Sequence, residues 1–256
     1  MTAIVDRPAA PLLETRDLRK QFGGLRAVDD LSFTVAPGGV HAVIGPNGAG
    51  KTTVFNLVSG QLRPTSGQVF FRGEDVTGLK PHEITHRGIS RKFQITQVFT
   101  GMSVRDNVML ALHRRYRSRT LALRTEPEAR EKAEEVLALM HLTEKADSSA
   151  SELGHGESQR LELGMVLATG ASLLLLDEPT SGMSLEEREE MASLLRTIAR
   201  ETTVVITEHD FEFIKSVADV VTVLNKGAKL AEGDVATIEQ DESVRECYLG
   251  PIDVGG

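Results

Sequence analysis

A single cysteine, Cys247, stands in the 256 residues, so no disulfide can close within the chain and a reducing compartment is expected. Long apolar runs are missing as well. Nowhere do about 18 consecutive apolar residues occur, the least a bilayer-crossing helix needs, and any membrane role must pass through a partner. Met1 to Pro11 carries two prolines and scattered polar residues instead of the apolar centre of a signal peptide, and reads as a loose leader. Positive charge is not in excess: 29 Lys and Arg against 37 Asp and Glu leave a net charge of −8 and a pI near 5.5. That balance argues against general nucleic-acid binding. One basic run stands out from it, His113-Arg114-Arg115-Tyr116-Arg117-Ser118-Arg119, readable as a solvated helix end or as a contact for lipid head groups or an acidic partner. Internal repeats and low-complexity linkers are lacking. With 40% hydrophobic and 26% charged residues, what remains is ordinary globular composition, compatible with one large domain or a domain carrying a sizeable insertion.

What is present is concentrated in Gly45-Pro46-Asn47-Gly48-Ala49-Gly50-Lys51-Thr52-Thr53. An apolar run, Val40 to Ile44, precedes it and reads as a buried strand; Val54 to Gly60 follow as a helix with Leu57 and Val58 turned inward. Strand, glycine loop and helix start form a phosphate cradle. Backbone N–H groups can point at a β-phosphate, Lys51 can reach the β- and γ-phosphates, and the Thr52 hydroxyl can sit on Mg²⁺. A glycine turn that merely precedes a helix is the bland alternative.

Leu12 to Phe22 and Leu25 to Val35 alternate like antiparallel strands about a Gly23-Gly24 turn. Short strands are expected at Gln68 to Phe71 and Ile89 to Phe93, with a short helix starting at Pro81 between them. Val104 to Leu142 is helix-rich, with Ala133, Val136, Leu137 and Met140 on one face, and looks like a helical insertion. Apolar strands return at Leu173 to Leu176, Val204 to Ile206 and Val220 to Leu224, each expected to adjoin a helix of ten or more residues. Continuous apolar strands alternating with helices predict a parallel sheet covered on both faces. The expected fold class is therefore α/β: a P-loop core, an N-terminal antiparallel β layer and an inserted helical subdomain.

A phosphate loop needs an acid to hold its metal, and the leucine strand ends in Asp177-Glu178. Asp177 would hold Mg²⁺ directly or through water, and Glu178 could polarise the water that attacks the γ-phosphate. Two acids after four leucines could also be a strand end meeting solvent. The next strand ends in Thr207-Glu208-His209-Asp210, where His209 could donate to the γ-phosphate and orient Glu178 or the water; alone, it would pass for a capping or surface residue.

Together with Gln94, which follows a strand ahead of the helical insertion, this set resembles the ATP-binding subunits of ABC transporters over roughly Leu12 to Gly250. The resemblance implies ATP and Mg²⁺ as ligands, with Gln94 reaching the metal and the nucleotide and Phe22 stacking on adenine; Phe22 as core filling stays open. It also implies a domain spanning 12–250 with a helical subdomain at about 100–165, and a tail over 251–256. Leu153-Gly154-His155-Gly156-Glu157-Ser158-Gln159-Arg160 aligns with the family signature Leu-Ser-Gly-Gly-Gln-x-Gln-Arg. In the family this helix start grips the γ-phosphate held by a second subunit, so Gly154 and Gly156 are nucleotide-site candidates and a second ATPase subunit is implied. Transmembrane permease subunits and, through them, a periplasmic or extracellular substrate-binding protein are implied partners, with the chain on the inner face of the membrane. The segment after Gln94 would carry motion to the permease.

Two departures stand out. Gly154 replaces the signature serine and Glu157 its amide, while Ser184 ends the Ser181-Gly182-Met183-Ser184 loop where the family usually has aspartate. They predict slow turnover at sites completed by this signature, or pairing with a different cassette. Phe22 to Val28, Arg91-Lys92-Phe93-Gln94 through Phe99, and Gly154 to Met165 look like the branched-chain amino acid and urea importer branch, leaning toward urea or short-chain amides. Two other readings compete. Asn225-Lys226-Gly227-Ala228 invites a guanine-binding motif but lacks its carboxylate, and a soluble ABC ATPase would normally carry two fused cassettes or a long coiled coil. A cassette that binds ATP without hydrolysing it is disfavoured by Glu178 and His209.

Overall fold

The computed structural model describes residues 10–92, 98–116 and 126–249. Its elements run β1 (Leu13–Phe22), β2 (Leu25–Val35), β3 (Val40–Ile44), α1 (Lys51–Val58), β4 (Ser66–Phe71), β5 (Glu74–Asp75), α2 (Pro81–Arg87), β6 (Ile89–Lys92), α3 (Val104–Tyr116), α4 (Glu126–Leu139), α5 (His155–Ala168), β7 (Leu173–Asp177), α6 (Leu185–Ile198), β8 (Thr203–Thr207), α7 (Phe211–Val217), β9 (Val220–Asn225), β10 (Ala228–Gly233) and α8 (Val235–Gln240). The leader through residue 9, Phe93, Gln94, the side chains of the basic run and the tail from residue 250 lie outside the described residues.

Two sheets form. The antiparallel layer has the order β2-β1-β4-β5, and the main sheet β10-β9-β3-β8-β7-β6 is parallel except for β10. Burial explains why β3, β7 and β8 are apolar throughout: every position of each is buried. The leucine run shows the period of two at work. Leu174 and Leu176 enter the core shared with α3 to α6, and Leu173 and Leu175 enter the other, shared with α1 and the antiparallel layer. Val204 and Ile206 divide from Val205 in the same way.

The face of α4 predicted from spacing is the buried one: Ala133, Val136, Leu137 and Met140 are at most 3% exposed and pack on α5 and α3. Gly164 of α5 sits against Val136 and Met140, where a Cβ would come within 2.8 Å of the Met140 side chain. Two expectations need correcting. The first helix starts at Lys51 instead of Val54, with Gly50 at φ 104 as its N-cap. The strand β9 adjoins no long helix: α7 before it has 7 residues, and β10 follows directly. Asn225-Lys226-Gly227-Ala228 is the turn of that β9–β10 hairpin, with Lys226 at φ 49 and Gly227 at φ 86, the positive pair that a two-residue hairpin loop needs.

Register fixes where the chemistry-bearing residues emerge. Thr207 pairs with Val43 on one side and with Asp177 on the other, so β3, β8 and β7 end at one edge of the sheet. The glycine loop, Glu178 and His209 all leave from that edge.

His41 lies within β3, and its Nε2 is 2.8 Å from the Thr222 hydroxyl. That hydroxyl gives its proton to Glu232, so His41 is the donor in the first bond. Burial, with the Lys229 ammonium adding to it, pushes the His41 pKa down from 6.5 to about 4. The unfolded chain therefore binds a proton between those values that the folded chain refuses, and stability falls as pH drops from about 6.5 to about 4. We expect a loss of about 3 kcal/mol across that window in urea titrations. The His41→Gln variant should lack this component of the slope; an unchanged slope would contradict the assignment.

Candidate functional site

The loop from Gly45 to Gly50 is shaped by what it packs against. A Cβ on Gly45 would meet the Leu224 carbonyl at 2.2 Å, and one on Gly50 the Ala27 carbonyl at 2.4 Å. The Ala49 carbonyl accepts the Gly227 amide at 3.0 Å, tying the loop to the β9–β10 hairpin. Gly48, at φ 80, has open space where a Cβ would be. The loop is thus backed by protein at Gly45 and Gly50 and bare at Gly48, as a cradle must be if backbone N–H groups are to reach a ligand.

A cleft of about 540 Å³ opens over it, lined by Asn47 to Thr53, Phe22, Leu25, Arg26, Ala27, Glu178 and Lys226. Phe22 is 45% exposed, which removes core filling as its role, and Lys20 Nζ lies 5.1 Å from its ring centre. Lys51 is folded back on its own loop: Nζ donates to the Gly45 carbonyl at 2.6 Å and to the Pro46 carbonyl at 3.2 Å. Burial lowers its pKa, and the Glu178 and Asp177 carboxylates pull the other way.

Asp177 lies behind the cleft lining. Its Oδ2 accepts from Arg91 Nη2 at 2.9 Å, in an ion pair whose side chains are 7% and 3% exposed, and its Oδ1 accepts the Thr207 hydroxyl at 2.5 Å. Arg91 also reaches Asn56 Oδ1 at 2.5 Å and lies over the Phe55 ring. Glu178 lines the cleft at φ 46, its amide held by the Thr207 carbonyl at 3.0 Å. His209 is exposed, with Nδ1 4.0 Å from Glu178 Oε1. The exposed Thr52 hydroxyl in the cleft lining and the Asp177 carboxylate are oxygen donors of the kind magnesium takes, but both Asp177 oxygens are engaged, which suits a role at one remove from the ion. Among the described residues, no three His, Cys, Asp or Glu side chains gather closely enough to hold a metal themselves. Gln94 lies outside the described residues.

Gly154 and Gly156 do not line this cleft. Gly154 is the N-cap of α5 and has no side chain to accept from the helix, so Glu157 reaches back to the Gly154 amide at 2.9 Å. The Lys145 ammonium, 2.6 Å away, holds the Glu157 carboxyl below the usual carboxylate range. Gly156 packs on α6, where a Cβ would come within 2.3 Å of the Glu187 carboxylate. His155 Nε2 lies 3.0 Å from the Ser181 carbonyl, and Ser184 caps α6 with its hydroxyl accepting from the Glu187 amide at 3.3 Å. Serine there does the capping an aspartate would do.

Sequence reasoning missed Arg91 as the partner of Asp177, and Thr207 and Glu208 as buried polar supports. Arg91 was visible only as a charge in a strand; a cation in a strand that must be buried calls for an acid, and Asp177 is the one at the edge of the adjacent strand.

Residues 28–181 match the family model described as ABC transporter. The high-affinity branched-chain amino acid transport ATP-binding protein BraF of Pseudomonas aeruginosa is 38% identical over 250 residues, covering 94% of this chain and 98% of that protein. LivG of Escherichia coli strain K12, named for the same transport role, is 34% identical over the same coverage. The solved ADP conformation of MJ1267, an ATP-binding cassette of an ABC transporter, superimposes with a TM-score of 0.83 at 29% identity, covering 95% of this chain and 100% of that one.

Removing Arg91 would strand the Asp177 carboxylate in a dry site. Arg91→Ala should cost about 3–5 kcal/mol in equilibrium urea denaturation. Arg91→Lys keeps the charge and forfeits the second arm to Asn56, for a loss of about 1–2 kcal/mol. Equal losses for both would show that the ion pair is not what holds this junction.

Proposed function

This chain belongs to the ABC transporter family, and on that premise we propose that it is the motor subunit of an importer for branched-chain or similarly hydrophobic amino acids. The family makes it an ATPase that binds nucleotide. The substrate class rests on the names of BraF and LivG. No helix among the described residues is long and apolar enough to cross a membrane; in this reading, by likeness to the transport ATP-binding proteins, cargo crosses through permease subunits, with a substrate-binding protein delivering it to them.

The observation that carries the reading is the shared cleft, in which the glycine loop, Phe22 and Glu178 face one another. In this reading Phe22 stacks on adenine and the loop from Gly45 to Thr53 wraps the phosphates. The Lys51 ammonium exchanges the Gly45 and Pro46 carbonyls for phosphate oxygens. Thr52 would hold Mg²⁺, with Asp177 and Gln94 steadying its surroundings, and the ion would neutralise charge on the β- and γ-phosphates. Glu178 takes a proton from the attacking water while His209 orients it. The start of α5, with Gly154 exposed and Gly156 buried behind it against α6, completes the site of a second copy or a second cassette in this reading, so hydrolysis belongs to the dimer.

Lys51→Ala should weaken nucleotide binding by about 10- to 100-fold, the worth of a charged hydrogen bond, as read by calorimetry with ATP. Glu178→Gln should bind ATP as tightly as the wild type, lose about 10²- to 10⁴-fold in turnover and accumulate as an ATP-bound dimer on size exclusion. Turnover surviving in Glu178→Gln would remove it from the role of base. Import assayed with the co-purified permease, using leucine and urea as competing cargoes, tests the substrate class; uptake of urea alone would overturn it.

A further inference from the structure

Glu208, the residue before His209, is 0% exposed. Its Oε1 accepts the Thr180 amide at 3.0 Å and the Thr180 hydroxyl at 2.5 Å. Its Oε2 accepts the His209 amide at 3.2 Å and lies 3.7 Å from His209 Nδ1. The hydrogen-bond donors are two amides and a hydroxyl. Burying a carboxylate is costly, and a position with only packing to do is filled more cheaply by an apolar side chain.

Both ends of this arrangement reach the chemistry. Thr180 is the third residue of the turn that the Ser181 amide closes on the Glu178 carbonyl, and the turn's first residue, Glu178, is held in a left-handed conformation, φ 46, uncommon for a residue with a side chain. The Thr207 carbonyl and hydroxyl hold the Glu178 amide at 3.0 and 3.3 Å, and Glu208 holds Thr180. Thr207, the last residue of β8, and Glu208 after it thus pin the turn at its first and third residues, and Glu208 also pins His209. From the C-terminal segment, the Tyr248 hydroxyl donates to the Glu208 carbonyl at 3.4 Å. Burial, with the Glu208 and Asp210 carboxylates adding, pushes that phenol up to about 12, so it remains a donor at neutral pH.

We propose that Glu208 is a positioning residue for ATP hydrolysis, clamping the Glu178-Pro179-Thr180 turn to the histidine strand end and so setting the spacing between Glu178 and His209. The proposal rests on the roles given above to those two residues. A carboxylate suits the task because it only accepts: one oxygen takes both Thr180 donors while the other takes the His209 amide. A glutamine of the same shape must turn its NH₂ toward one of these donors and lose that bond.

The test uses the full-length chain assembled with its permease, comparing the wild type with Glu208→Gln, Thr180→Val, Thr180→Ser and the double variant Glu208→Gln/Thr180→Val. Glu208→Gln should lower kcat by about 10- to 100-fold, as a misplacement of the reacting groups does, while KM for ATP stays within about twofold. Thr180→Val, equal in size but without the hydroxyl, should lower kcat in the same way, and Thr180→Ser should keep the wild-type rate. The double variant should be little worse than the worse single one, because both break one clamp. Hydrogen exchange at the Thr180 and His209 amides should quicken in Glu208→Gln while β7 and β8 stay protected.

Wild-type turnover by Glu208→Gln and Thr180→Val would overturn the clamp, as would equal losses in Thr180→Ser and Thr180→Val or fully additive losses in the double variant. If Glu208→Gln does not fold, the two Thr180 variants decide by the same criteria. A wild type that hydrolyses ATP no faster than Glu178→Gln would overturn the functional reading and the clamp with it; an active wild type matched by Glu208→Gln overturns the clamp alone.

Discussion

Arg91 and Asp177 meet at 2.9 Å at the edge of the main sheet, where neither has much water to fall back on. The constraint comes from the sheet itself. Parallel strands covered on both faces bring their carboxyl ends to one edge, and polar residues there must find partners inside the protein. Arg91 answers for β7, Asn56 links the same guanidinium to the helix that follows the glycine loop, and Thr207 closes the set from β8. One ion pair therefore joins β6, β7 and α1, and the Thr207 bond adds β8. A buried pair is no guarantee of net stability over an apolar substitute. Its effect is to fix the relative placement of the loop, the acid and the histidine strand, which an apolar cluster would leave to shape alone.

That junction supports the glycine loop, which is itself shaped by the protein behind it. Gly45 and Gly50 sit where carbonyls of Leu224 and Ala27 leave no room for a side chain, and the Gly227 amide holds the Ala49 carbonyl. Lys51 rests on the carbonyls of Gly45 and Pro46. Under the proposed function, phosphate oxygens would replace those carbonyls as partners of the ammonium, one set of oxygens for another with greater negative charge. Burial lowers the pKa of that ammonium, and an anion brought against it would work in the opposite direction.

The local and periodic parts of this fold were legible in the sequence. Apolar runs at Val40 to Ile44, Leu173 to Leu176 and Val204 to Ile206 mark the strands, and the face carrying Ala133 and Leu137 marks α4. The cleft residues Phe22, Lys51 and Glu178 were legible too, from the loop, the acid pair and a family resemblance. What escaped was pairing across the chain. Nothing near Arg91 announces Asp177, 86 positions away, and nothing near Glu208 announces Thr180, 28 positions away. Hairpin chemistry was overlooked at Lys226-Gly227, where two positive φ values make β10 the partner of β9. Arg91 was read only as a letter of a branch motif and Glu208 only as a member of a polar strand end, when burial required each to have a partner.

The altered start of α5 shows why a motif departure must be weighed with its neighbours. Read alone, Glu157 sets a negative charge where a polyanion should bind, and Gly154 removes a capping hydroxyl. In the folded chain Glu157 turns back to accept from the Gly154 amide, one half of a capping box whose other half, a side-chain acceptor for the Glu157 amide, glycine cannot supply. The Lys145 ammonium then sits 2.6 Å from the carboxylate, so the pair adds no net charge to the helix start. The positive end of the helix dipole is left facing outward beside a neutral pair, and the repulsion expected of Glu157 is much reduced. Ser184 follows the same logic at α6, supplying as an N-cap what aspartate supplies, without its charge. The loss at this surface is then chiefly the loss of one hydroxyl at Gly154, a smaller change than the letters of the motif suggest.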